Sequence, residues 1–123
     1  MTPNKELLPF LRESEEIVLS VKGRVSGNIS SRAVWFIISK DENSIFLIPA
    51  NGKETQWYLN VRKEPTVTLA VGDRTFSAKS MEIGPQEFKD VLAGFKEKYG
   101  QENMDRYYPR LEVALAVPLP AYS

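Results

Sequence analysis

Two short segments carry residue types able to hold an anion. Gly23-Arg24-Val25-Ser26-Gly27-Asn28 combines two glycines, which admit positive φ, with a guanidinium, a hydroxyl and an amide. These are the ingredients of a backbone concavity for phosphate or carboxylate. A solvated hairpin loop uses the same residues, so composition leaves both readings open. Asn51-Gly52-Lys53-Glu54-Thr55-Gln56 runs from a flexible loop into a helix. Free N–H groups and the positive dipole end at such a start attract anions, and Lys53 adds a full charge. Asn51 and Glu54 also spell a capping box, which would satisfy the same donors internally. Trp57 and Tyr58 can flank a planar ring or pack in a core, and Asn60, one turn beyond Gln56, can face a ligand or cap backbone. Tyr107-Tyr108 precede Pro109 and offer two phenols.

The chain has no cysteine and no histidine, which removes disulfides, Cys/His zinc sites and every nucleophile–histidine arrangement. No metal site is expected. Chemistry must come from carboxylates, amines, hydroxyls, backbone dipoles or a bound cofactor. Lys plus Arg equals Asp plus Glu at 16 each, so no overall field draws the chain to nucleic acid. Locally the balance tips. Between Ser20 and Lys63, Lys22, Arg24, Arg32, Lys40, Lys53, Arg62 and Lys63 face only Asp41, Glu42 and Glu54, a surplus suited to a compact anion. No apolar run is long enough to span a membrane, and the polar start Met1-Thr2-Pro3-Asn4-Lys5 has no signal-peptide core, so the expected location is the cytoplasm.

The elements that must position these residues follow from periodicity. A length of 123 residues with 42% apolar side chains supports one domain over residues 1–123. Thr2 or Asn4 can cap a helix over Lys5–Arg12, with Leu7, Leu8 and Leu11 on one side. Alternation over Glu16–Lys22 sends Ile17, Leu19 and Val21 one way, as in a half-buried strand. Ile29–Ser39 and Ile45–Ile48 continue a meander around the turn Lys40–Asn43. A helix over Lys53–Lys63 should stop before Pro65. Val67–Val71 and Thr75–Ile83 flank a Gly72-Asp73 hairpin turn. Pro85 suits the first turn of a helix carrying Phe88, Val91, Leu92, Phe95 and Tyr99, and Gly100 ends it. Gln101–Pro109 reads as a polar connection and Leu111–Leu119 as a last strand. Six short strands joined mostly by tight turns predict a mainly β protein: a six-stranded antiparallel barrel with flanking helices.

Three spaced motifs then acquire a meaning together. Gly23-Arg24-Val25-Ser26-Gly27, Lys53-Glu54-Thr55-Gln56-Trp57-Tyr58-Leu59-Asn60, and Pro65-Thr66-Val67-Thr68-Leu69-Ala70-Val71-Gly72 occur in this order. The stretch Lys22–Ile83 resembles the deazaflavin-dependent nitroreductase family, within the split-barrel flavin-binding superfamily that includes pyridoxamine phosphate oxidase. The resemblance implies a split barrel binding an 8-hydroxy-5-deazaflavin coenzyme or FMN. The brief Pro49-Ala50-Asn51-Gly52 loop, shorter than the family's usual insertion, suits FMN. It implies that Arg24, Ser26 and Gly27 lie near the cofactor's phosphate or polar tail, that Lys53, Thr55 and Gln56 hold phosphate, and that Trp57 and Asn60 lie beside the ring. Tyr107 and Tyr108 fall where some relatives place a tyrosine near the substrate.

The implied reaction is hydride transfer to a small electron-poor acceptor: a quinone, a nitro-compound or an activated double bond. The cofactor supplies the chemistry that the side chains lack. The resemblance also implies a homodimer with the cofactor at the subunit boundary, with Trp35, Phe36, Trp57 and Tyr58 as candidates for the interface as well as for a ring bed. A non-catalytic flavin-binding carrier or sensor is the alternative, and a dimer in which Asn51, Lys53 and Glu54 merely cap a helix is a third.

Overall fold

A computed structural model of the chain describes residues 6–120; the expected caps Thr2 and Asn4 lie outside them. In chain order the elements are α1 (Leu8–Glu13), β1 (Glu16–Lys22), β2 (Ile29–Ile38), β3 (Ser44–Leu47), a 3₁₀ turn (Gly52–Glu54), α2 (Gln56–Lys63), β4 (Thr66–Val71) and β5 (Arg74–Lys79). They continue with β6 (Met81–Glu82), α3 (Pro85–Tyr99), α4 (Gln101–Tyr107) and β7 (Leu115–Pro118). The strands run in the order β5-β4-β1-β2-β3-β7-β6, with every named pair antiparallel.

The barrel closes through a bend. The segment expected as one strand, 75–83, breaks at Ser80 into β5, which pairs with β4, and β6, which pairs with β7. One continuous run thus joins the two ends of the sheet, and the barrel has seven strands where six were expected. Ser80 pins the corner: its N–H and its hydroxyl both donate to Pro65 O at 2.9 Å. Both sheet halves share β2, whose residues 29–35 pair with β1 and 36–38 with β3.

Alternation decides what fills the barrel. Ile17, Leu19 and Val21 of β1 are buried as the period-2 pattern requires, with Val67, Leu69 and Val71 of β4 and Phe36 of β2 among their partners. Leu7, Leu8 and Leu11 of the α1 region and Trp57, Tyr58 and Val61 of α2 join the same core. Phe36, Trp57 and Tyr58 are therefore interior residues, which removes them as interface candidates; Trp35 alone of that set is half-buried. A second core lies outside the barrel, where Phe46 and Ile48 meet Val91 and Phe95 of α3, Met104 of α4 and Tyr108.

The turn residues behave as their chemistry dictates. Gly72 takes φ +59 at the first position of the two-residue β4–β5 loop, a conformation that a side chain would strain. Helix α2 ends at Lys63, before Pro65, and Pro85 starts α3. Three expectations shift. The helix expected over 53–63 begins at Gln56, because Thr55 is extended (φ −61, ψ 130) and separates α2 from the 3₁₀ turn. The polar segment 101–109 forms α4 over Gln101–Tyr107, since Met104 buries itself against Phe95 and its neighbours. The last strand is confined to Leu115–Pro118.

Candidate active site

Divergence of two strands creates a cleft. Strand β2 pairs with β3 only over Phe36–Ile38, so among the described residues the edge of residues 29–35 turned away from β1 has no strand beside it. A cavity of about 390 Å³ opens along that edge, between Arg32–Trp35 on one wall and Ile48, Ala50, Asn51, Thr55 and Trp57 on the other. Glu16, Tyr107 and Tyr108 complete it. Both tryptophans of the chain line it.

An aromatic wall backs this cleft. Trp35 stacks on Tyr99 with ring centroids 4.2 Å apart and planes 5° from parallel, and meets Tyr107 edge-on at 5.6 Å and Tyr108 at 5.4 Å. Offset and edge-on contacts of this kind each add about 0.5–1.5 kcal/mol beyond burial and hold Trp35 in one orientation. Tyr108 is 7% exposed, and its hydroxyl lies near the Trp35 backbone. Burial pushes its pKa up to about 12, so at neutral pH the phenol keeps its proton. Tyr107, 52% exposed, stands at the mouth.

The residues singled out from sequence fall into three places. Thr55, Trp57, Tyr107 and Tyr108 line the cleft. Arg24, Gln56 and Asn60 form a clip at the first turns of α2: Asn60 Oδ1 accepts from Arg24 N–H (3.1 Å) and from Arg24 Nη1 (2.8 Å), while Gln56 Oε1 accepts from Arg24 Nη2 (3.1 Å). Lys63 Nζ donates to Arg24 O, so α2 holds the β1–β2 loop at both ends of one residue. Ser26 and Gly27 lie in that loop, where Ser26 Oγ accepts from Asn28 N–H and Gly27 has φ +75.

Lys53 is the third place. Its backbone N–H donates to Glu112 Oε1 (3.2 Å), and a Cβ on Gly52 would lie 1.8 Å from that same oxygen, so glycine is what admits the carboxylate. Arg110 bridges Glu112 (3.1 Å) and Glu54 (2.6 Å). The capping box does not form: Asn51 makes no side-chain cap, and its own N–H donates to Thr55 Oγ1 (2.9 Å).

Arg32 and Glu16 belong to the cleft and were not among the sequence-derived site residues, whereas Trp35, expected at an interface or a ring bed, lines the cleft. Arg32 makes no ion pair or hydrogen bond among the described residues and offers an unspent cation at the wall. Its signal was present, an arginine inside a strand, yet only the departure of β3 exposes it. A larger hollow of about 820 Å³ lies between α1, the β2–β3 turn and α3, with Ile37, Phe46 and Val91 in its lining and Glu87, Asp90 and Glu97 at its border. It contains none of the sequence-derived site residues and no tyrosine or tryptophan, so the smaller cleft is the better candidate. No cluster of carboxylates able to hold a metal ion occurs among the described residues.

Comparison with known proteins identifies the family and the fold. The family model for F420H(2)-dependent quinone reductases matches residues 6–114. The chain belongs to that family. It is a deazaflavin-dependent reductase family, and the split barrel recurs in solved structures. The F420-H2 dependent reductase FDR-A superposes with a TM-score of 0.66 at 18% identity, covering 84% of this chain and 93% of that one. A protein described as a domain-swapped dimer superposes with a TM-score of 0.67 at 19% identity, covering 84% and 79%. HutZ, the heme storage protein of Vibrio cholerae, superposes with a TM-score of 0.72 at 16% identity, covering 100% and 93%. Identities this low establish the fold alone, and a heme-storage neighbour shows why the ligand must be argued from the site. No curated protein matches the chain in sequence at a significant level. Among the described residues, no helix is long and apolar enough to cross a membrane.

Proposed function

We propose that the cleft beside β2 binds a reduced 5-deazaflavin coenzyme and that the protein delivers its hydride to a small electron-poor acceptor, with a quinone, a nitro-compound or an activated double bond as the candidate classes. The observation that carries this reading is the cleft itself, whose aromatic wall and unpaired Arg32 sit where the barrel splits. Its volume of about 390 Å³ falls in the range of small-ligand sites and admits a planar ring. A bound deazaflavin supplies the two-electron chemistry that a chain without cysteine or histidine lacks.

The chain's own residues then have separable tasks. Trp35, fixed by Tyr99 and Tyr108, gives the ring a rigid face, and Trp57 closes the other wall. Thr55, Gln56 and Lys53 are assigned to the anionic tail, with Arg24, Ser26, Gly27 and Asn60 supporting that end from the loop held on α2. An anion reaching the Lys53 amide has to displace the Glu112 carboxylate. Tyr107 and Tyr108 face the acceptor side, where the protonated Tyr108 hydroxyl can donate a hydrogen bond to an acceptor oxygen. FMN carries the same kind of ring on a shorter tail and is the second ligand to test. A homodimer would close the open side of the cleft.

Tryptophan fluorescence tests the reading directly, because both tryptophans line the site. Titration with the 8-hydroxy-5-deazaflavin coenzyme should quench emission saturably, and the reduced coenzyme should turn over with a quinone. Lys53→Ala should weaken coenzyme affinity more than it lowers folding stability; equal losses would return Lys53 to a structural role. Saturable binding without turnover on any of the three acceptor classes would make the protein a carrier.

A further inference from the structure

We propose that the free edge of β2 at Ala33 reads a cyclic –C(=O)–NH– group of the bound ring, Ala33 C=O accepting from the ring N–H and Ala33 N–H donating to the adjacent ring carbonyl. The inference rests on the cleft being a ring site and adds the part of the ligand that the backbone recognises.

Three observations fix the direction of the Ala33 peptide groups. Phe36 N–H donates to the Tyr99 hydroxyl (3.0 Å), which lies within 2.6 Å of Glu15 O, so the polar groups of Phe36 face the β1 side. At the opposite end of the hairpin, Gly23 N–H donates to Asn28 O (2.8 Å), and again an even-numbered residue faces β1. Between them Trp35, odd-numbered, has its backbone near the Tyr108 hydroxyl on the cleft side. Successive residues of a strand turn their N–H and C=O to opposite edges. Ala33 therefore turns both groups toward the cleft that it lines. Strand β3 stops short of it, pairing only with Phe36–Ile38, and no backbone or side-chain partner reaches Ala33 on that edge among the described residues.

The geometry selects a chemical class. On a strand edge one residue presents its N–H and C=O side by side, which is how two antiparallel residues exchange both hydrogen bonds. A lactam or imide carries an N–H next to a C=O on one edge of a planar ring, so it can stand where the missing strand residue would. The pyrimidine end of a 5-deazaflavin or flavin is such an imide. A methyl side chain at position 33 leaves the edge unobstructed, and Trp35 two residues on supplies the face against which the ring lies.

A ring whose imide nitrogen is blocked covers Ala33 C=O without pairing it, and a polar group covered but unpaired costs about tenfold in affinity. The test compares the oxidised 8-hydroxy-5-deazaflavin coenzyme with its N3-methyl derivative on the full chain, by tryptophan quenching and by amide hydrogen exchange at Ala33. The parent ligand should bind and slow Ala33 exchange, and the methylated ligand should bind at least about tenfold more weakly. Ala33→Pro deletes an N–H that the β1–β2 ladder does not use and should weaken the parent ligand by about tenfold. The pair of ligands keeps the test independent of how that variant folds. Equal affinity for the two ligands with unchanged Ala33 exchange overturns the inference and leaves the ring site standing. Binding of neither ligand refutes the ring site and the inference with it. Protection of Ala33 without ligand, growing with protein concentration, would assign the edge to a second copy and also overturn the proposal.

Discussion

Strand β2 is two strands in physical terms. Its second half, Val34–Ile38, is flanked by β1, β3 and α3, places Val34 and Phe36 in the barrel, and turns Trp35 and Ile37 to the outer core. Its first half, Ile29–Ala33, pairs on one edge only and is exposed at every residue, with Ile29 at 66%. Both halves are extended strand, although only the second carries the β-rich run Val34-Trp35-Phe36-Ile37-Ile38. They differ also in what lies beside them, and that difference marks where the barrel is built and where a strand edge is left free among the described residues. Strands left with a free edge need a reason, since such edges recruit other chains.

The junction between the halves is held from outside the sheet. Where β1 has ended, the Tyr99 hydroxyl accepts from Phe36 N–H and lies within donor reach of Glu15 O and Phe36 O (2.9 Å to the latter). Lys98 Nζ donates to Phe36 O (2.8 Å) and Ser14 O (3.2 Å) and lies 3.8 Å from the Phe36 ring centroid. Helix α3 thus completes a ladder that the strands leave unfinished.

The contrast can be broken most severely at its buried end. Phe36→Ala should cost about 3–5 kcal/mol in urea unfolding, because a fully buried ring leaves a cavity in the barrel. Next comes Tyr99→Phe, which removes the hydroxyl serving Phe36 and Glu15 and should cost about 2 kcal/mol, read by the same denaturation; a loss under about 0.5 kcal/mol would mean that water substitutes.

Lys98 gives a smaller, pH-dependent effect. Burial lowers its pKa from 10.5 to about 8, although the two carbonyls and the ring face favour the ammonium form. Between those values the folded chain has released a proton that the unfolded chain retains, so stability from this group rises as pH climbs from about 8 towards 10.5. Melting temperatures of wild type and Lys98→Met should therefore shift in favour of wild type over that interval; a difference independent of pH would show that carbonyl bonding holds the pKa near its ordinary value. The smallest change should come at the open end, where Ile29→Ser stays within about 0.5 kcal/mol. A larger, concentration-dependent loss there would sharpen the contrast by revealing a second copy on the exposed half.

Much of the barrel was legible because burial leaves a periodic record. Ile17, Leu19 and Val21 alternate, α3 repeats its apolar face, and Pro65, Gly72 and Pro85 punctuate where their φ preferences demand. The seventh strand was not legible, since a serine inside an otherwise extended run does not show a bend until Pro65 O is there to receive it. Helix α4 was hidden in a polar segment whose one decisive residue, Met104, matters only once Phe95 is beside it.

The candidate site was legible by residue type more than by arrangement. Thr55, Trp57, Tyr107 and Tyr108 were found and do meet around one cleft. Arg24, Gln56 and Asn60 were found as potential ligand contacts, and they satisfy one another, because a guanidinium and two amide oxygens within reach pair regardless of what else is present. Lys53 was read as the start of a helix, whereas the neighbouring glycine lets Glu112 approach from 59 residues away.

Sequence by itself determined which residues turn inward, where the chain reverses, and that a chain lacking cysteine and histidine is left with carboxylates, amines, hydroxyls, backbone dipoles or a bound cofactor for its chemistry; these are local consequences of period, backbone preference and side-chain inventory. Only the tertiary structure decided that β3 leaves β2 after three paired residues, and hence that Ala33, Arg32 and Trp35 border a cleft. A strand's residues encode which face they bury, but whether a neighbour covers its edge depends on where distant segments run.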